Sequence, residues 1–506
     1  MQSFSRRELL AAMAAAGLSA VTLPRTSQAT TAGRPRPGSP GASATPLRVE
    51  RRNIEVLGRP ASVFGIHNAQ GRPGLFLDAG ARFHVELVNR TMEQTLIHWH
   101  GQVPPAEQDG VPGLSQQALE PGAGFVYDYD PRPGTHWMHS HVGLQEQSMM
   151  AAPLIVRTAE EARQDAQEVV MFLHDFTFRT PDEVLAELQG ASGAMAGHAM
   201  GGMGAASSAH GGMAMPAPGA ASQSPQAMAH GGQATSAAMD VNDVEFDAYL
   251  ANDRTLDDPD VVRVERGGKV RLRIVNAAAA TNFVIDLGSL GGTLVAVDGN
   301  PVVALQATRL PLGIAQRMDL DLRLPAQEGA WPVLALREND TARTGIVLAT
   351  QRGSVRALGL HGDRPAEVVG LDLEQRLAAR TPLAPRAADR RHVVALTGAM
   401  DPYAWGINGR RWGEHQPLEV RLGERVELVF ENRTPMPHPM HLHGAHFQVV
   451  AINGQRIAGA VRDTVMLPAN AMVTAEFDAG NPGRWALHCH NLYHMAAGMM
   501  TEVRYI

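Results

Sequence analysis

The stretch GARFHVELVN at residues 80–89 recurs as GERVELVFEN at residues 423–432 and, more loosely, as GGKVRLRIVN at residues 267–276. In each copy apolar side chains nearly alternate before an asparagine, a residue type that favours turns. This alternation is typical of a half-buried strand in a two-sheet sandwich. The internal repeat therefore predicts three similar β-sandwich domains in one chain.

Length and composition agree with several turn-rich β domains. The chain has 506 residues, more than one hydrophobic core usually organises, and its 51 glycines and 33 prolines disfavour a helical bundle. The formal net charge of −7 offers no basic excess, so we expect no nucleic-acid partner. Cys489 is the only cysteine, which excludes an intrachain disulfide.

The N-terminus resembles a twin-arginine export signal. Arg6 and Arg7 precede an apolar run over residues 9–23, and residues 27–29, Ser-Gln-Ala, resemble a cleavage site. The run is shorter than the roughly 20 apolar residues that span a bilayer. We therefore expect export to the periplasm by the twin-arginine machinery.

The repeat and the changes in composition divide the chain into predicted segments. These are a signal peptide at 1–29, a flexible leader at 30–47, a first domain at 48–160, a second domain at 161–360, a linker at 361–390 and a third domain at 391–506.

An insertion at residues 188–239 interrupts the second domain. It contains no charged residue, and seven methionines and three histidines lie in an Ala/Gly/Ser background. This composition cannot bury a core and predicts disorder. Thioether sulfur is a soft ligand suited to Cu(I), so the insertion either captures cuprous ions or is a tolerated low-complexity segment.

Four His-x-His or His-Cys-His motifs lie at matching positions of the two outer repeats. His98-Trp-His-Gly and His441-Leu-His-Gly each begin nine residues after the repeat asparagine, whereas the middle copy has Ile285-Asp-Leu-Gly. Alternate side chains of a strand share one face, so each motif predicts two imidazoles on one side. The eight histidines are His98, His100, His139, His141, His441, His443, His488 and His490.

The third domain adds a second set of potential ligands: His438, Cys489, His494 and Met499. Two imidazoles, a thiolate and a more weakly held thioether suit a blue electron-transfer copper. Cys489 lies between two histidines of the first set, so it points to the opposite face of the same strand and links the two sites covalently.

The first domain lacks this second set. The positions that correspond to His438, Cys489, His494 and Met499 hold Thr95, Ser140, Gln145 and Met150. We therefore expect no blue copper in the first domain, and we expect the eight histidines to meet at the contact between the first and third domains.

These motifs resemble the four copper motifs of the multicopper oxidases, over nearly the whole mature chain, and look most like the bacterial exported branch associated with copper resistance and manganese oxidation. The resemblance implies an all-β chain of three consecutive cupredoxin-like Greek-key β-sandwich domains and four copper ions. It implies a type 2 copper on His98 and His441, a type 3 pair on His100, His139, His141, His443, His488 and His490, and a type 1 copper on His438, Cys489, His494 and Met499.

The resemblance also implies an activity. A substrate would give single electrons to the type 1 site, and dioxygen would be reduced to water at the other three coppers. Asp109, eleven residues after His98, matches a family acid that assists proton delivery, although Asp109-Gly110 also fits a plain turn. Met495 stands where some relatives carry a second acid.

The sequence therefore predicts a monomeric periplasmic oxidase of cuprous or other metal ions that serves copper tolerance. A laccase-like phenol oxidase and a Mn(II) oxidase are alternatives, because the reductant could be Cu(I), Mn(II) or a phenol. A non-enzymatic exported scaffold and a copper-storage protein are alternatives from other classes.

Overall fold

The computed structural model describes residues 43–190 and 241–506, and nearly all of their regular structure is β. The predicted signal peptide, almost all of the leader and nearly all of the Met/His insertion lie outside these residues. Within the described parts of the chain, no helix has the length and apolar composition required to cross a membrane.

The first sandwich is formed by two four-stranded sheets, with strand orders β2-β1-β4-β6 and β3-β8-β7-β5. Its strands are β1 (Thr45–Val56), β2 (Arg59–Asn68), β3 (Leu75–Leu77), β4 (Phe83–Asn89), β5 (Ile97–His98), β6 (Gly124–Tyr129), β7 (Gly134–Ser140) and β8 (Ala151–Val156). Burial alternates along β4, where Phe83, Val85 and Leu87 face the core. The first repeat is therefore a half-buried strand.

The second sandwich has sheets ordered β10-β9-β12-β17-β14-β15 and β11-β19-β18-β13-β16. Its elements are β9 (Gln167–Phe176), α1 (Pro181–Leu188), β10 (Ala248–Ala251), β11 (Asp260–Arg263), β12 (Lys269–Asn276), β13 (Phe283–Asp286), β14 (Gly292–Val297), β15 (Asn300–Ala307), β16 (Arg309–Leu312), β17 (Arg317–Arg323), β18 (Ala330–Arg337) and β19 (Arg343–Ala349). Helix α1 begins at a capping box of Thr180 and Glu183, with proline at its first position.

The third sandwich has sheets ordered β21-β20-β23-β29-β25-β26, with β27 paired to β25, and β22-β31-β30-β24-β28. Helix α2 (Asp372–Arg376) precedes its elements, which are β20 (Arg390–Met400), β21 (Tyr403–Ile407), β22 (Leu418–Val420), β23 (Arg425–Asn432), β24 (His438–Leu442), β25 (Phe447–Ile452), β26 (Gln455–Arg456), β27 (Val461–Arg462), β28 (Thr464–Leu467), β29 (Met472–Asp478), β30 (Arg484–Cys489), α3 (Leu492–Ala496) and β31 (Met500–Tyr505). Three 3₁₀ turns occur at Ala106–Gln108, Glu161–Arg163 and Gly288–Leu290.

The repeat asparagine makes equivalent hydrogen bonds in all three sandwiches, as Asn89, Asn276 and Asn432. Each is buried at the end of its strand, and its Oδ1 accepts a hydrogen bond from the N–H two residues later. Each Nδ2 donates to carbonyl oxygens on separate segments. The asparagine therefore fixes the loop that leads to the next strand, on which the outer domains carry their first histidine motif.

Candidate metal centre

Pairs of neighbouring antiparallel strands carry the histidine motifs in both outer domains. In the first domain His98 on β5 lies opposite His139 on β7, and in the third domain His441 on β24 lies opposite His488 on β30. The second histidine of three motifs lies just past the end of its strand, as His490 does after β30. The two domains therefore present equivalent histidines at equivalent strand ends.

Two glycines allow close packing directly behind the motifs. Gly101 and Gly444 have φ values of 87° and 70°, a region that strains residues with a side chain. A Cβ at Gly101 would lie 2.4 Å from His136 Nδ1, and one at Gly444 would lie 2.1 Å from the Trp485 ring. The glycine of each His-x-His-Gly motif is therefore required by sterics.

The eight histidines His98, His100, His139, His141, His441, His443, His488 and His490 form one cluster, called here the eight-histidine cluster. Six of them meet in pairs through Nε2, at 3.5 Å for His98–His441, 3.3 Å for His139–His490 and 3.0 Å for His443–His488. In five of these six rings, Nδ1 lies within 2.9 Å of an oxygen that can accept a hydrogen bond from its N–H. The Nε2 lone pairs therefore converge, an arrangement that a cation between them would stabilise.

The other two histidines offer free nitrogens. Nε2 of His100 contacts Asp463 Oδ1 at 3.1 Å and Thr464 Oγ1 at 3.2 Å, which leaves Nδ1 to face the cluster. Among the described residues His100 Nδ1 has no hydrogen-bond partner, and neither does His141 Nε2, although both atoms are buried. Buried nitrogens without partners are costly unless they bind a metal ion.

Three buried carboxyl groups each face one histidine of the first domain and one of the third. Asp109 lies 3.3 Å from His98 Nδ1 and 2.8 Å from His443 Nδ1. Asp463 contacts His100 and His441, and Glu146 contacts His139 and His490. Only Asp109 was predicted from the sequence, through the family resemblance, because Asp463 and Glu146 belong to none of the motifs that carry that resemblance.

Electrostatics differ among these acids. Burial alone would raise the pKa of Asp109, but the His443 and His98 imidazoles lower it below its usual range. Burial likewise opposes ionisation of Asp463, and the Arg317 guanidinium overcomes it and lowers the pKa. Burial and the nearby Asp175 raise the pKa of Glu146. Two of the three acids are therefore carboxylates even without metal.

Burial holds most imidazoles of the cluster neutral by lowering their pKa values. Burial lowers the pKa of His443 to about 4 and that of His490 to about 3, and nearby imidazoles contribute to both shifts. Neutral imidazole is the form that binds metal ions. The cluster therefore fits several copper ions, in donor type, in protonation and in the convergence of its lone pairs.

A second group, called here the cysteine site, consists of His438, Cys489, His494 and Met499. The Nδ1 atoms of His438 and His494 are 3.0 Å apart, and Cys489 Sγ lies 3.6 Å from each. All four residues are buried, and the Cys489 N–H donates to the Met499 carbonyl at 3.0 Å. Burial raises the pKa of the thiol, so a bound cation is needed to hold it as thiolate.

The outer edges of the cysteine-site imidazoles are covered. His438 Nε2 contacts Thr434 Oγ1 at 2.7 Å, and His494 Nε2 contacts the carboxylate of Asp243 at 2.6 Å. Tyr403 donates to the same Asp243 oxygen at 3.0 Å, and the Trp405 ring lies 4.4 Å from that of His494. Burial would raise the pKa of Asp243, but the His494 imidazole lowers it.

Asp243 is a site residue that the sequence analysis missed. Asp247, also just after the Met/His insertion, stabilises the start of the folded segment by accepting from the Thr177 hydroxyl and the Phe178 N–H. Asp243 instead lies 251 residues from His494 in sequence, in a different domain. Its position directly after a methionine-rich segment was the available signal.

In the first domain, the positions equivalent to the cysteine site are also adjacent in space. Thr95 Oγ1 contacts Gln145 Oε1 and Met150 Sδ, each at 2.9 Å, and Ser140 Oγ donates to Gln145 Oε1 at 2.7 Å. A hydrogen-bonded group thus occupies the place where the third domain has its cysteine site.

Comparison with known proteins identifies the family. Three multicopper oxidase domain families match residues 48–161, 220–354 and 386–506. The chain is 31% identical to multicopper oxidase MmcO of Mycobacterium tuberculosis, over 93% of this chain and 88% of that protein. It is 26% identical to copper resistance protein A of Pseudomonas syringae pv. tomato, over 99% of each. The chain therefore belongs to the multicopper oxidase family.

Solved structures support the fold. The multicopper oxidase Fet3p superimposes with a TM-score of 0.71 at 16% identity, over 91% of this chain and 90% of Fet3p. The laccase from Botrytis aclada gives a TM-score of 0.70 at 20% identity, over 90% of this chain and 86% of the laccase. The prediction of three consecutive cupredoxin-like β-sandwich domains is confirmed. The protein is an oxidoreductase with copper cofactors that uses dioxygen and oxidises copper or organic substrates.

Proposed function

We propose that the chain binds four copper ions and acts as a cuprous oxidase. In this proposal His98 and His441 hold a type 2 copper, the other six histidines of the eight-histidine cluster hold a type 3 pair, and the cysteine site holds a type 1 copper. The pairing of Nε2 atoms supports the first two assignments, and the His438–Cys489–His494 triangle supports the third.

The bound copper ions would supply the redox chemistry. In the overall reaction four substrate Cu(I) ions are oxidised to Cu(II), and one dioxygen with four protons is reduced to two waters. The chain supplies the connection between sites. Cys489 follows His488 directly and precedes His490, and His488 Nδ1 donates to the Cys489 carbonyl at 2.9 Å. A continuous path of covalent and hydrogen bonds thus joins the thiolate to two imidazoles of the cluster.

Proton supply is the proposed role of Asp109. Its carboxylate lies against His98 and His443, one histidine from each outer domain, and its side chain is buried. As a carboxylate it can therefore accept a proton and pass it on beside the place where dioxygen would be reduced.

The contact between Asp243 and His494 carries the proposal for a metal-ion reductant. Since Asp243, Tyr403 and Trp405 cover His494, a phenol has no open imidazole edge to stack against among the described residues. The Asp243 carboxylate, 2.6 Å from the imidazole, is buried, and its Oδ1 has no hydrogen-bond partner among the described residues, which leaves one oxygen as a ligand for a small cation next to the electron acceptor. The Met/His insertion ends in sequence at Met239, four residues before Asp243, which brings soft Cu(I) ligands close along the chain.

The first experiment is dioxygen uptake by the copper-loaded protein with Cu(I), Mn(II) or a methoxyphenol at matched concentrations. We expect the fastest uptake with Cu(I). Asp243→Asn should reduce Cu(I)-dependent uptake by about 10-fold or more, whereas Asp247→Asn, four residues away and bound to Thr177, should not. A preference for the phenol or for Mn(II) would support a laccase-like or manganese oxidase instead.

The Cys489→Ser variant distinguishes an oxidase from a non-enzymatic scaffold or a copper-storage protein. The variant should lose its blue colour and its uptake with every reductant while its eight-histidine cluster still binds copper. Uptake that survives this substitution would contradict the electron path, and a wild-type protein that binds copper without uptake would favour storage.

The same proposal includes export as a monomer. The sequence features at residues 1–29 support twin-arginine transport to the periplasm, where a cuprous oxidase would serve copper tolerance. Expression of the full chain in a strain without the twin-arginine translocase should leave the protein in the cytoplasm.

A further inference from the structure

Glu146 is a buried acid that the mechanism above does not use. It lies five residues after His141, between β7 and β8, and only 3% of its surface is exposed. Its Oε2 lies 2.8 Å from His139 Nδ1, and its Oε1 lies 3.8 Å from His490 Nδ1. Among the described residues Oε1 has no hydrogen-bond partner. The carboxyl group therefore faces one histidine from each outer domain.

The position of the carboxyl group determines where the His139 ring directs its lone pair. A neutral imidazole carries one proton, and an oxygen next to Nδ1 favours the tautomer protonated there. At His139 Nδ1 the Glu146 oxygen is nearer than the Ser140 carbonyl oxygen, which lies 3.2 Å away. The Nε2 lone pair of His139 then points at His490 Nε2, 3.3 Å away, and only in this tautomer can His139 Nε2 share a metal ion with His490.

We propose that Glu146 is a positioning residue that sets the tautomer and orientation of His139 for copper binding. The role requires only an accepting oxygen at Nδ1. Because the carbonyl oxygen of a neutral carboxyl group accepts as a carboxylate does, the role holds in either protonation state.

The segment around Glu146 is well placed for this role. The Glu146 carbonyl accepts from the Met149 N–H at 2.9 Å, and the neighbouring Gln147 accepts from the Tyr493 hydroxyl at 3.1 Å. Tyr493 follows His490 by three residues on the third domain. The segment that carries Glu146 is therefore fixed to both outer domains, to the third through the Tyr493–Gln147 hydrogen bond.

Nearly isosteric variants test the inference, which rests on the proposed assignment of His139 and His490 to the type 3 pair. Glu146→Gln keeps an accepting oxygen, whereas Glu146→Met keeps the size and removes it. We expect Glu146→Met to weaken copper retention at the pair by about 10- to 100-fold in a chelator competition. In EPR an isolated copper signal should replace the silent coupled pair, while the blue type 1 absorption stays unchanged. Glu146→Gln should resemble the wild type.

Two results would overturn the inference. If Glu146→Met and Glu146→Gln both retain copper as the wild type does, the hydrogen bond is not needed. If both variants lose copper equally, the effect is due to the charge of the carboxylate. Should Glu146→Met fail to fold, ¹⁵N-histidine NMR of the metal-free wild-type protein gives the answer, with Nδ1–H expected at His139 and Nε2–H at that ring contradicting the inference. A wild-type protein without a coupled pair would instead refute the proposed copper assignment.

Discussion

Arg317 of the second domain and Asp463 of the third form a fully buried ion pair, with Nη1 2.7 Å from Oδ1. Asp463 in turn contacts Nε2 of His100 in the first domain at 3.1 Å. The guanidinium also reaches the Thr135 carbonyl of the first domain at 3.3 Å. A middle domain that contributes no ligand to the eight-histidine cluster therefore helps to orient the cluster.

Removal of this guanidinium should affect stability and copper binding together. Arg317→Met leaves Asp463 as an unpaired buried charge, so we expect the free energy of unfolding to fall by about 3–5 kcal/mol. Asp463, which contacts His100, is then no longer held in place by Arg317. The copper content of the eight-histidine cluster should therefore fall while the blue colour persists. Thermal unfolding and copper analysis check both. Arg271→Met removes a guanidinium that pairs with Glu161 and Asp321 of the same domain and should leave copper content unchanged.

Asp109→Asn should separate chemistry from copper binding. The amide retains the shape and one accepting oxygen but cannot carry the proton, so dioxygen uptake should fall by about 100-fold or more. Copper content and blue absorption should remain those of the wild type. Asp128→Asn, which changes a half-exposed acid paired with Arg82, is the control and should have no effect on uptake. Unchanged uptake in Asp109→Asn would exclude the proton role.

The first domain should accept a second blue copper. Its Thr95, Ser140, Gln145 and Met150 already lie together, so the combined change Thr95→His, Ser140→Cys and Gln145→His recreates the donor set of the cysteine site. We expect stronger blue absorption and additional bound copper in this variant. The same variant with Ser140→Ala lacks the thiolate and should gain no blue colour. Absorption no stronger than that of the wild type would show that the backbone there is unsuitable.

Acid should destabilise the protein partly through His174, a buried residue outside both the eight-histidine cluster and the cysteine site. Burial lowers the pKa of His174 to about 4, and an unfolded histidine titrates near 6.5, so the unfolded chain binds this proton more tightly. Stability should therefore fall as the pH drops from about 6.5 to 4, by on the order of 3 kcal/mol from this group. In the metal-free protein, His174→Leu should show a shallower dependence of Tm on pH over that range.

The three-domain fold could be predicted from sequence alone because each repeat is a local pattern that forms one strand and the loop after it. The alternation before Asn89, Asn276 and Asn432 marks equivalent strands, and the asparagine fixes the loop that follows. The histidine spacings are local as well, since His98 and His100 lie on one short segment. Local patterns of this kind are visible without coordinates.

The acids that contact the histidines, Asp463, Asp243 and Glu146, could not be predicted because these contacts depend on how the domains pack together. Asp463 and Asp243 each act on a histidine of another domain, and single acids have no pattern to distinguish them from surface acids. The structure places Asp463 against His100. Glu146 lies within one domain with His139, yet its contact with His490 depends on how two domains dock.

The location of the Nε2 pairs has a mechanical consequence. Two of the three pairs, His98–His441 and His139–His490, join histidines more than 300 residues apart, in a chain whose single cysteine forms no intrachain disulfide. Copper between them would act as a crosslink that closes a very long loop and restricts the unfolded chain, as a disulfide does. A chelator should then convert one cooperative melting transition into separate steps for the outer domains.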